Sequence, residues 1–354
     1  MIPGDGIGPE VAAAARLVLE SADVGIEWIE RPAGTAALPE YGELMPQETL
    51  DAIRSSRVAI KGPITTPVGG GFRSVNVALR QGLDLFGAVR PARALPGVPI
   101  RHPSVDLVVV RENTEDLYAG IEYERGSPEA AALIRELHVL GGYDVRADAG
   151  ITVKPISVSG TQRIVRFAFE HARTNGRKKV TVGHKANIMR FSDGLFLETA
   201  RSEAANFPDI EWQEIQIDHM TSRLAREPAA FDVLLLPNLY GDIVSDLCAG
   251  LVGGLGLIPG ANIGWEYAVF EPVHGSAPDI AGKALANPIA MILSGAMLLR
   301  HVGEQTAAEN VEWAVDEVLR RGEIRTADLG GSSSTMEVGE AIAAAVSHWE
   351  HGAS

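Results

Sequence analysis

The sequence predicts an α/β protein built on a largely parallel sheet, because runs with strand character alternate along it with segments of helical periodicity. Four short runs rich in β-branched and aliphatic residues are typical of strands; they lie at 58–60, 105–110, 180–182 and 231–236. Five longer segments have the apolar spacing of helices; they lie at 11–20, 161–172, 193–206, 290–302 and 307–320.

Proline-rich and glycine-rich connectors at 62–71, 90–103 and 251–264 bracket a central region of roughly one domain's size. This pattern predicts an outer domain made from both ends of the chain, with a second domain inserted and a functional cleft between them. The predicted outer, larger domain comprises 1–84 and 253–354, and the smaller domain comprises 85–115 and 159–252. Residues 116–158 fit neither pattern and are predicted to form an arm.

Composition excludes several classes of partner. The formal net charge of -15 argues against nucleic acid or an anionic membrane surface. The most apolar stretches are too short to span a bilayer. Cys248 is the one cysteine, so an intramolecular disulfide is impossible and a reducing compartment is expected. With no signal peptide visible at the start of the sequence, we expect a cytoplasmic protein.

Three arginines, Arg80, Arg90 and Arg111, lie in surroundings that suit a binding site. Arg80 ends a run that contains Ser74 and Asn76, and Arg111 directly follows a predicted strand, where functional residues of α/β proteins tend to lie. A lone arginine usually makes a surface salt bridge. Together in an acidic protein they favour a polycarboxylate pocket, because each guanidinium can hold a carboxylate through two parallel hydrogen bonds.

Tyr118 and Lys185 are of the types that move protons. Tyr118 follows Arg111 in the chain, and a phenol near a cation can transfer a proton. Lys185 follows a predicted strand, and a lysine in a cleft close to a cation can act as a base, since its charged form is disfavoured there. A packing tyrosine and a solvated lysine are the ordinary alternatives, and both stay open at this point.

Asp242 and Asp246 indicate a metal site. If their segment is helical, the spacing of four residues places both carboxylates on one face. Like charges so placed repel unless a cation joins them, and oxygen ligands suit Mg²⁺ or Mn²⁺. Asp242 alone could instead face the dipole at the start of a helix. Asp218 is a candidate third ligand, although its spacing offers little support.

Two glycine-containing segments bear on nucleotide binding. The segment GDGIGPE at 4–10 does not match G-x-G-x-x-G and follows no predicted strand, so it predicts a helix-starting turn and not a Rossmann site. The loop 271–282 is long and polar, and its small residues would let a nucleotide approach the backbone. Asp279 in this loop could accept a hydrogen bond from a ribose 2′-hydroxyl and would repel a 2′-phosphate, which favours NAD.

Taken together, these segments resemble the β-decarboxylating hydroxyacid dehydrogenases, the group of isocitrate, isopropylmalate and homoisocitrate dehydrogenases. The resemblance covers nearly the whole chain, with matching segments at 4–11, 61–80, 111–122, 184–194, 238–264, 270–288 and 329–331. It implies a fold distinct from the Rossmann fold, with a large cofactor-binding domain, a small domain and a clasp exchanged in a homodimer. It also implies a nicotinamide cofactor and Mg²⁺ or Mn²⁺.

The resemblance further implies a role for each candidate residue. The substrate's carboxylates would be bound by Ser74, Asn76, Arg80, Arg90 and Arg111. Tyr118 would donate a proton, and Lys185 would be a base partner that reaches the neighbouring subunit's site. The metal would be held by Asp242, Asp246 and, across the dimer, Asp218. The cofactor site would be lined by Thr65, His274, Gly275, Ser276, Ala277, Pro278, Asp279, Ile280 and Asn287.

Two short segments bear on substrate and cofactor choice. Ser-x-Asn before Arg80 resembles isocitrate dehydrogenases, whereas isopropylmalate enzymes present apolar residues and homoisocitrate enzymes tend to place an arginine near the position of Val77. Asp279 and Ile280 resemble NAD-dependent forms, since NADP-dependent bacterial relatives carry lysine and tyrosine there. These features predict NAD-dependent oxidative decarboxylation of the tricarboxylate isocitrate to 2-oxoglutarate and CO₂.

Two alternatives stay open. The substrate could be homoisocitrate or another 3-substituted malate, such as isopropylmalate or tartrate. The chain could also be a non-catalytic regulatory subunit of a hetero-oligomeric isocitrate dehydrogenase. Loss of members of the arginine, lysine and aspartate set would favour the regulatory interpretation, and in this sequence the set is complete.

Overall fold

The computed structural model describes residues 1–65 and 74–349, so the predicted connector 62–71 lies partly outside the described residues. The strands, in chain order, are β1 Val58–Ile60, β2 Gly87–Arg93, β3 Asp106–Glu112, β4 Glu122–Tyr123, β5 Ile151–Thr152, β6 Lys179–His184, β7 Glu211–Gln216, β8 Val233–Leu236, β9 Pro259–Ile263 and β10 Ala268–Pro272. Eight of them form one sheet in the order β1-β10-β9-β2-β3-β8-β6-β7, and β4 pairs with β5 alone.

All five helices expected from periodicity are present, with ends shifted by a few residues. The described helices are α1 Gly8–Glu20, α2 Leu38–Tyr41, α3 Gln47–Ser56, α4 Val75–Gly82, α5 Pro128–Gly141, α6 Val158–Thr174, α7 Asp193–Ala204, α8 Ile217–Arg226, α9 Asn238–Leu251, α10 Ile289–His301, α11 Gln305–Arg321 and α12 Thr335–Ser347. Side-chain caps explain some of the starts: Ser74 caps α4, and Ser157 begins α6 by accepting a hydrogen bond from the Gly160 N–H.

The large sheet is mixed. The pairs β1-β10, β3-β8, β6-β8 and β6-β7 are parallel, as predicted. In the middle, however, β2 and β9 pair antiparallel with each other and with β3 and β10 respectively. Strand β9 lies within the stretch 251–264 that we expected to be a connector, and β2 overlaps the expected connector at 90–103. That expectation was wrong because Pro91 and Pro259 interrupt the apolar alternation that identifies a strand.

Helices cover both faces of the sheet. Because successive strand residues point to opposite faces, Val108 and Val110 of β3 pack with α6 and α7, whereas Leu107 and Val109 pack with α8 and α9. At the other end of the sheet, α1, α10, α11 and α12 enclose a core that includes β1, β9 and β10. The sheet runs continuously across the predicted border between large and small domains, so that division stays a prediction.

The predicted arm, 116–158, contains a short 3₁₀ turn, the β4-β5 ribbon and α5. Helix α5 buries only Ala130, and Val139, Leu140 and Tyr143 near its end are exposed. An exchange of this arm between subunits stays a prediction. No helix among the described residues is long and apolar enough to cross a membrane.

The turn at 4–8 needs its glycines for close packing. Gly4 and Gly6 have φ angles of 82° and 60°, in the left-handed region that favours glycine. A Cβ atom on Gly6 would lie 2.0 Å from the Ser276 carbonyl oxygen, and one on Gly4 would lie 2.2 Å from that of Pro63. The turn therefore packs against both the loop after β1 and the polar loop after β10.

Candidate active site

A cleft of about 210 Å³ opens where α4 and the start of α9 meet the centre of the sheet. Its lining includes nine of the candidate residues, from the predicted substrate, proton-transfer, metal and cofactor groups: Ser74, Asn76, Arg80, Arg90, Arg111, Tyr118, Asp242, His274 and Gly275. All five residues predicted to bind substrate carboxylates thus share one cavity.

Strand pairing explains why the arginines meet. Arg90 of β2 lies opposite Val109, and Arg111 of β3 lies opposite Ala88, so the alternation of side chains places both arginines on the same face of the sheet. Arg80 reaches the same space from the last turn of α4. All three are buried, and Arg111 is only 1% exposed.

Asp242 connects two of the arginines with the tyrosine. Its Oδ1 lies 2.5 Å from Arg111 Nη1 and 3.2 Å from Arg90 Nη1, and its Oδ2 accepts a hydrogen bond of 2.5 Å from the Tyr118 hydroxyl. Burial opposes ionisation of this carboxyl, but Arg111, Tyr118 and Arg90 together lower its pKa below the ordinary value. Asp242 is therefore ionised at neutral pH.

The cleft carries more positive than negative charge near Arg111. Burial, with the like charges of Arg90 and Arg80, lowers the pKa of Arg111 to about 9. A bound carboxylate would relieve this repulsion, because an opposite charge nearby favours the ionised guanidinium. The arrangement is therefore suited to an anion with several carboxylates.

Tyr118 is held as a protonated phenol. It lies in the 3₁₀ turn Asp116–Ala119, and the guanidinium carbon of Arg111 lies 4.8 Å from the centre of its ring. Burial, followed by the hydrogen bond to Asp242, raises the pKa of Tyr118. At neutral pH this side chain can donate its proton to a substrate atom.

Sequence reasoning did not assign a role to Lys61 or Glu271 at the base of the cleft. Lys61 Nζ lies 2.5 Å from Glu271 Oε2, and the lysine is 1% exposed. Burial would raise the pKa of Glu271, but Lys61 and Arg80 outweigh it and lower that pKa to about 2. The sequence could have indicated this ion pair only indirectly. Lys61 follows β1 and Glu271 lies near the end of β10, so the two strands had to be recognised as neighbours first.

Two buried polar atoms at the cleft have no hydrogen-bond partner within the described parts of the chain: Asn76 Oδ1 and His274 Nε2. The Nδ1 of His274 lies 3.0 Å from the Gly275 carbonyl oxygen, which indicates that Nδ1 carries the proton. Burial lowers the pKa of this histidine. Both unpaired atoms can therefore accept hydrogen bonds from a ligand.

Lys185 and Asp218 lie outside the residues that line this cleft. Lys185 Nζ is 2.5 Å from Asp218 Oδ1, and the hydrogen bond is the largest cause of a lowered pKa at Asp218. The Lys185 backbone N–H donates to Asp193 Oδ2 at 2.7 Å. The structure therefore brings these two predicted residues to each other, and their action across a dimer stays a prediction.

The predicted metal ligands Asp242 and Asp246 carry oxygen donors on neighbouring turns, and their binding of a metal stays a prediction. Asp242 and Asp246 lie one turn apart on α9, as their spacing predicted. Burial raises the pKa of Asp246 and the neighbouring Asp242 adds to this, with Arg90 opposing, so a cation between the two carboxylates would be favourable. No group of three acidic, histidine or cysteine side chains that could hold a metal occurs in the described chain. A complete site needs a ligand from elsewhere.

The predicted cofactor residues fall into two groups: most belong to the loops after β1 and β10, and Asn287, just before α10, contacts a different part of the chain. Thr65 Oγ1 donates to Ser276 Oγ at 2.6 Å, which joins the loop after β1 to the loop after β10 beside the cleft. Gly275, Pro278 and Asp279 are exposed in that second loop, whereas Ala277 and Ile280 are partly buried against the core. Asn287 instead binds Asp328 Oδ2 at 3.0 Å.

Comparison with known proteins places the chain in one family. Residues 1–342 match the model of the isocitrate/isopropylmalate dehydrogenase family. The chain is 46% identical to "Isocitrate dehydrogenase [NAD] catalytic subunit 5, mitochondrial" of Arabidopsis thaliana over 97% of this chain and 86% of the relative. It is 43% identical to "3-isopropylmalate dehydrogenase, chloroplastic" of Solanum tuberosum over 92% of this chain and 85% of the relative.

A solved structure gives the same result. The crystal structure of isocitrate dehydrogenase from Methylococcus capsulatus has 48% sequence identity, covers 98% of both chains and superposes with a TM-score of 0.91. The α/β architecture expected from the resemblance, distinct from the Rossmann fold, is thereby confirmed. The chain belongs to the isocitrate/isopropylmalate dehydrogenase family.

Proposed function

We propose that this protein is a catalytic NAD-dependent isocitrate dehydrogenase that uses Mg²⁺ or Mn²⁺ and works as a homodimer with shared active sites. The observation that supports this most is the meeting of three buried arginines with Ser74 and Asn76 in one cleft. An isopropyl group would be poorly matched to polar side chains at the entrance from α4, whereas a third carboxylate could bind them.

The metal ligands in this proposal are Asp242, Asp246 and Asp218 from a second copy of the chain. The first two provide the neighbouring carboxylates that a hard cation prefers. When bound, the metal would acidify the substrate hydroxyl, and the nicotinamide of NAD would accept the hydride.

The protein's own groups then orient the substrate and move protons. Arg80, Arg90 and Arg111 hold the carboxylates and fix the reacting carbon, a type of contribution worth up to roughly 7–11 kcal/mol in the best intramolecular systems. Lys185 of a second copy is the base partner for the hydroxyl proton. Tyr118 delivers the proton from its Oη to the carbon that has lost CO₂.

NAD is the proposed cofactor because of the loop after β10. Asp279 is exposed there and can accept a hydrogen bond from a ribose 2′-hydroxyl, whereas its charge opposes a 2′-phosphate. The neighbouring His274 offers an unpaired Nε2 on the cleft side of the same loop.

One experiment separates this proposal from its alternatives. The purified protein is assayed by absorbance at about 340 nm, where NADH absorbs, with isocitrate, homoisocitrate, 3-isopropylmalate and tartrate, each with NAD or NADP and with or without Mn²⁺. We expect the largest kcat/KM for isocitrate with NAD and Mn²⁺. A larger kcat/KM for another of these compounds would identify that compound, and not isocitrate, as the substrate. Ligand binding without turnover of any of them would favour a regulatory subunit.

A further inference from the structure

The cleft arginines are oriented by neutral side chains. Arg111 donates from Nε and Nη2 to the Oδ1 of Asn238, at 3.1 and 2.7 Å, and Arg80 donates from Nε to the Oδ1 of Asn262 at 3.0 Å. Arg90 follows the same pattern with a hydroxyl, since its Nη1 donates to Ser245 Oγ at 2.5 Å. The carboxylates of Asp242 and Glu271 also contact these guanidinium groups, but each of the three arginines donates to at least one neutral acceptor as well.

The two asparagines are themselves fixed. Asn238 is fully buried and its Nδ2 donates to the Glu115 carbonyl oxygen at 3.1 Å, and Asn262 is 3% exposed with its Nδ2 2.7 Å from Glu271 Oε1. Because an amide has donors on one side and an acceptor on the other, these bonds force each Oδ1 to face its arginine. The asparagines are thus rigid supports, assembled before any ligand binds.

A neutral support has an electrostatic consequence. An aspartate in either position would hold the guanidinium equally well, but its charge would compensate the arginine and weaken attraction for a ligand carboxylate. With an amide, orientation is achieved while the positive charge remains. Arg80 contacts Asn262 through Nε and Glu271 through Nη2, so neither contact uses its Nη1.

We propose that Asn238 and Asn262 are positioning residues that aim Arg111 and Arg80 at the substrate's carboxylates without compensating their charge. This inference rests on the proposed function only in requiring a polycarboxylate ligand. It predicts that losing the amide oxygen and adding a charge should each weaken substrate binding, by different physical causes.

The test uses the full-length protein with four single substitutions: Asn238→Ala, Asn238→Asp, Asn262→Ala and Asn262→Asp. The alanine variants release the arginine, and the aspartate variants retain the acceptor but add a charge. Asn238→Asp is the cleaner charge test, because an aspartate at 262 would also face Glu271. The ligand is whichever substrate of the preceding assay the wild-type protein uses, so a failure of isocitrate itself leaves this test intact.

We expect each variant to raise KM for the substrate by roughly tenfold or more, as loss of one charge-assisted contact does, while KM for NAD changes little. Asn310 supplies the matched control, since it is a buried asparagine on α11 that bonds the Val346 carbonyl oxygen. Asn310→Ala and Asn310→Asp should lower the melting temperature and leave KM unchanged.

Two results would overturn the inference. Wild-type KM in both alanine variants would show that the amides only fill space, and wild-type KM in both aspartate variants would show that neutrality is irrelevant. If a variant does not fold, Asn238→Ser and Asn262→Ser replace it. The shorter hydroxyl cannot bridge the same distance, so KM should still rise, and an unchanged KM in these variants would count equally against the proposal.

Discussion

The cleft and the Lys185-Asp218 pair differ in how many of the predicted functional residues they bring together within one chain. In the cleft, residues from α4, β2, β3 and α9 meet, and Asp242 bonds Arg90, Arg111 and Tyr118 directly. Lys185 and Asp218 contact each other away from that lining. The residues that line the cleft can therefore orient an anion and supply a proton, whereas in the proposed mechanism the base and the third metal ligand come from a second copy.

The largest effect expected from this division is that of Lys185→Met. We predict that kcat falls by about 10²-fold or more, the usual contribution of a proton-transferring side chain, with little change in KM. Steady-state kinetics with the preferred substrate and NAD would measure it. Lys178→Met, at an exposed lysine near the start of β6, is the matched control. A near-wild-type kcat for Lys185→Met would remove the lysine from the mechanism.

Mixing subunits would sharpen the comparison. Lys185→Met and Tyr118→Phe each disable a different part of the site, so a mixed dimer should contain one intact site if Lys185 acts across the interface. We predict recovery of about a quarter of wild-type activity after the two variants are unfolded and refolded together, because half the random dimers carry one good site. If the refolded mixture is no more active than either variant alone, Lys185 acts in the site of its own chain or takes no part in the reaction.

A smaller effect is expected from Arg111→Lys. The ammonium retains the charge but loses the planar fork that bonds Asn238 and Asp242, so we predict a rise of roughly tenfold or more in substrate KM. Arg93→Lys is the control, since Arg93 makes a similar two-pronged contact to Asp316 outside the cleft. Equal KM values for the two variants would show that Arg111 has no special part in binding.

The smallest effect concerns the cofactor. Asp279→Lys combined with Ile280→Tyr should move the ratio of kcat/KM values from NAD toward NADP, because the new cation attracts the 2′-phosphate that Asp279 repels. Measurements with both cofactors at saturating substrate would reveal the shift. An unchanged ratio would mean that this loop does not contact the ribose.

Some of the molecule could be predicted because the relevant signals are local. The five helices expected from periodicity follow from apolar spacing, and the positions of Asp242 and Asp246 on one face follow from the helix repeat once their segment is helical. The strands β2 and β9 could not be recognised, since Pro91 and Pro259 break the alternation, and only pairing with neighbours makes them strands. Lys61 was uninformative for a similar reason, because its partner Glu271 is remote in the chain.

The sequence by itself determined the α/β class, the acidic balance, the residue types available for a polycarboxylate and a metal, and the family to which they point. These properties depend on composition, periodicity and short motifs. Only the tertiary structure decided that Arg80, Arg90 and Arg111 share a cavity, that Asn238 and Asn262 orient two of them, and that Lys185 stands apart with Asp218. Such contacts join residues far apart in the chain, and strand order, register and the packing of helices on the sheet together bring them within bonding distance.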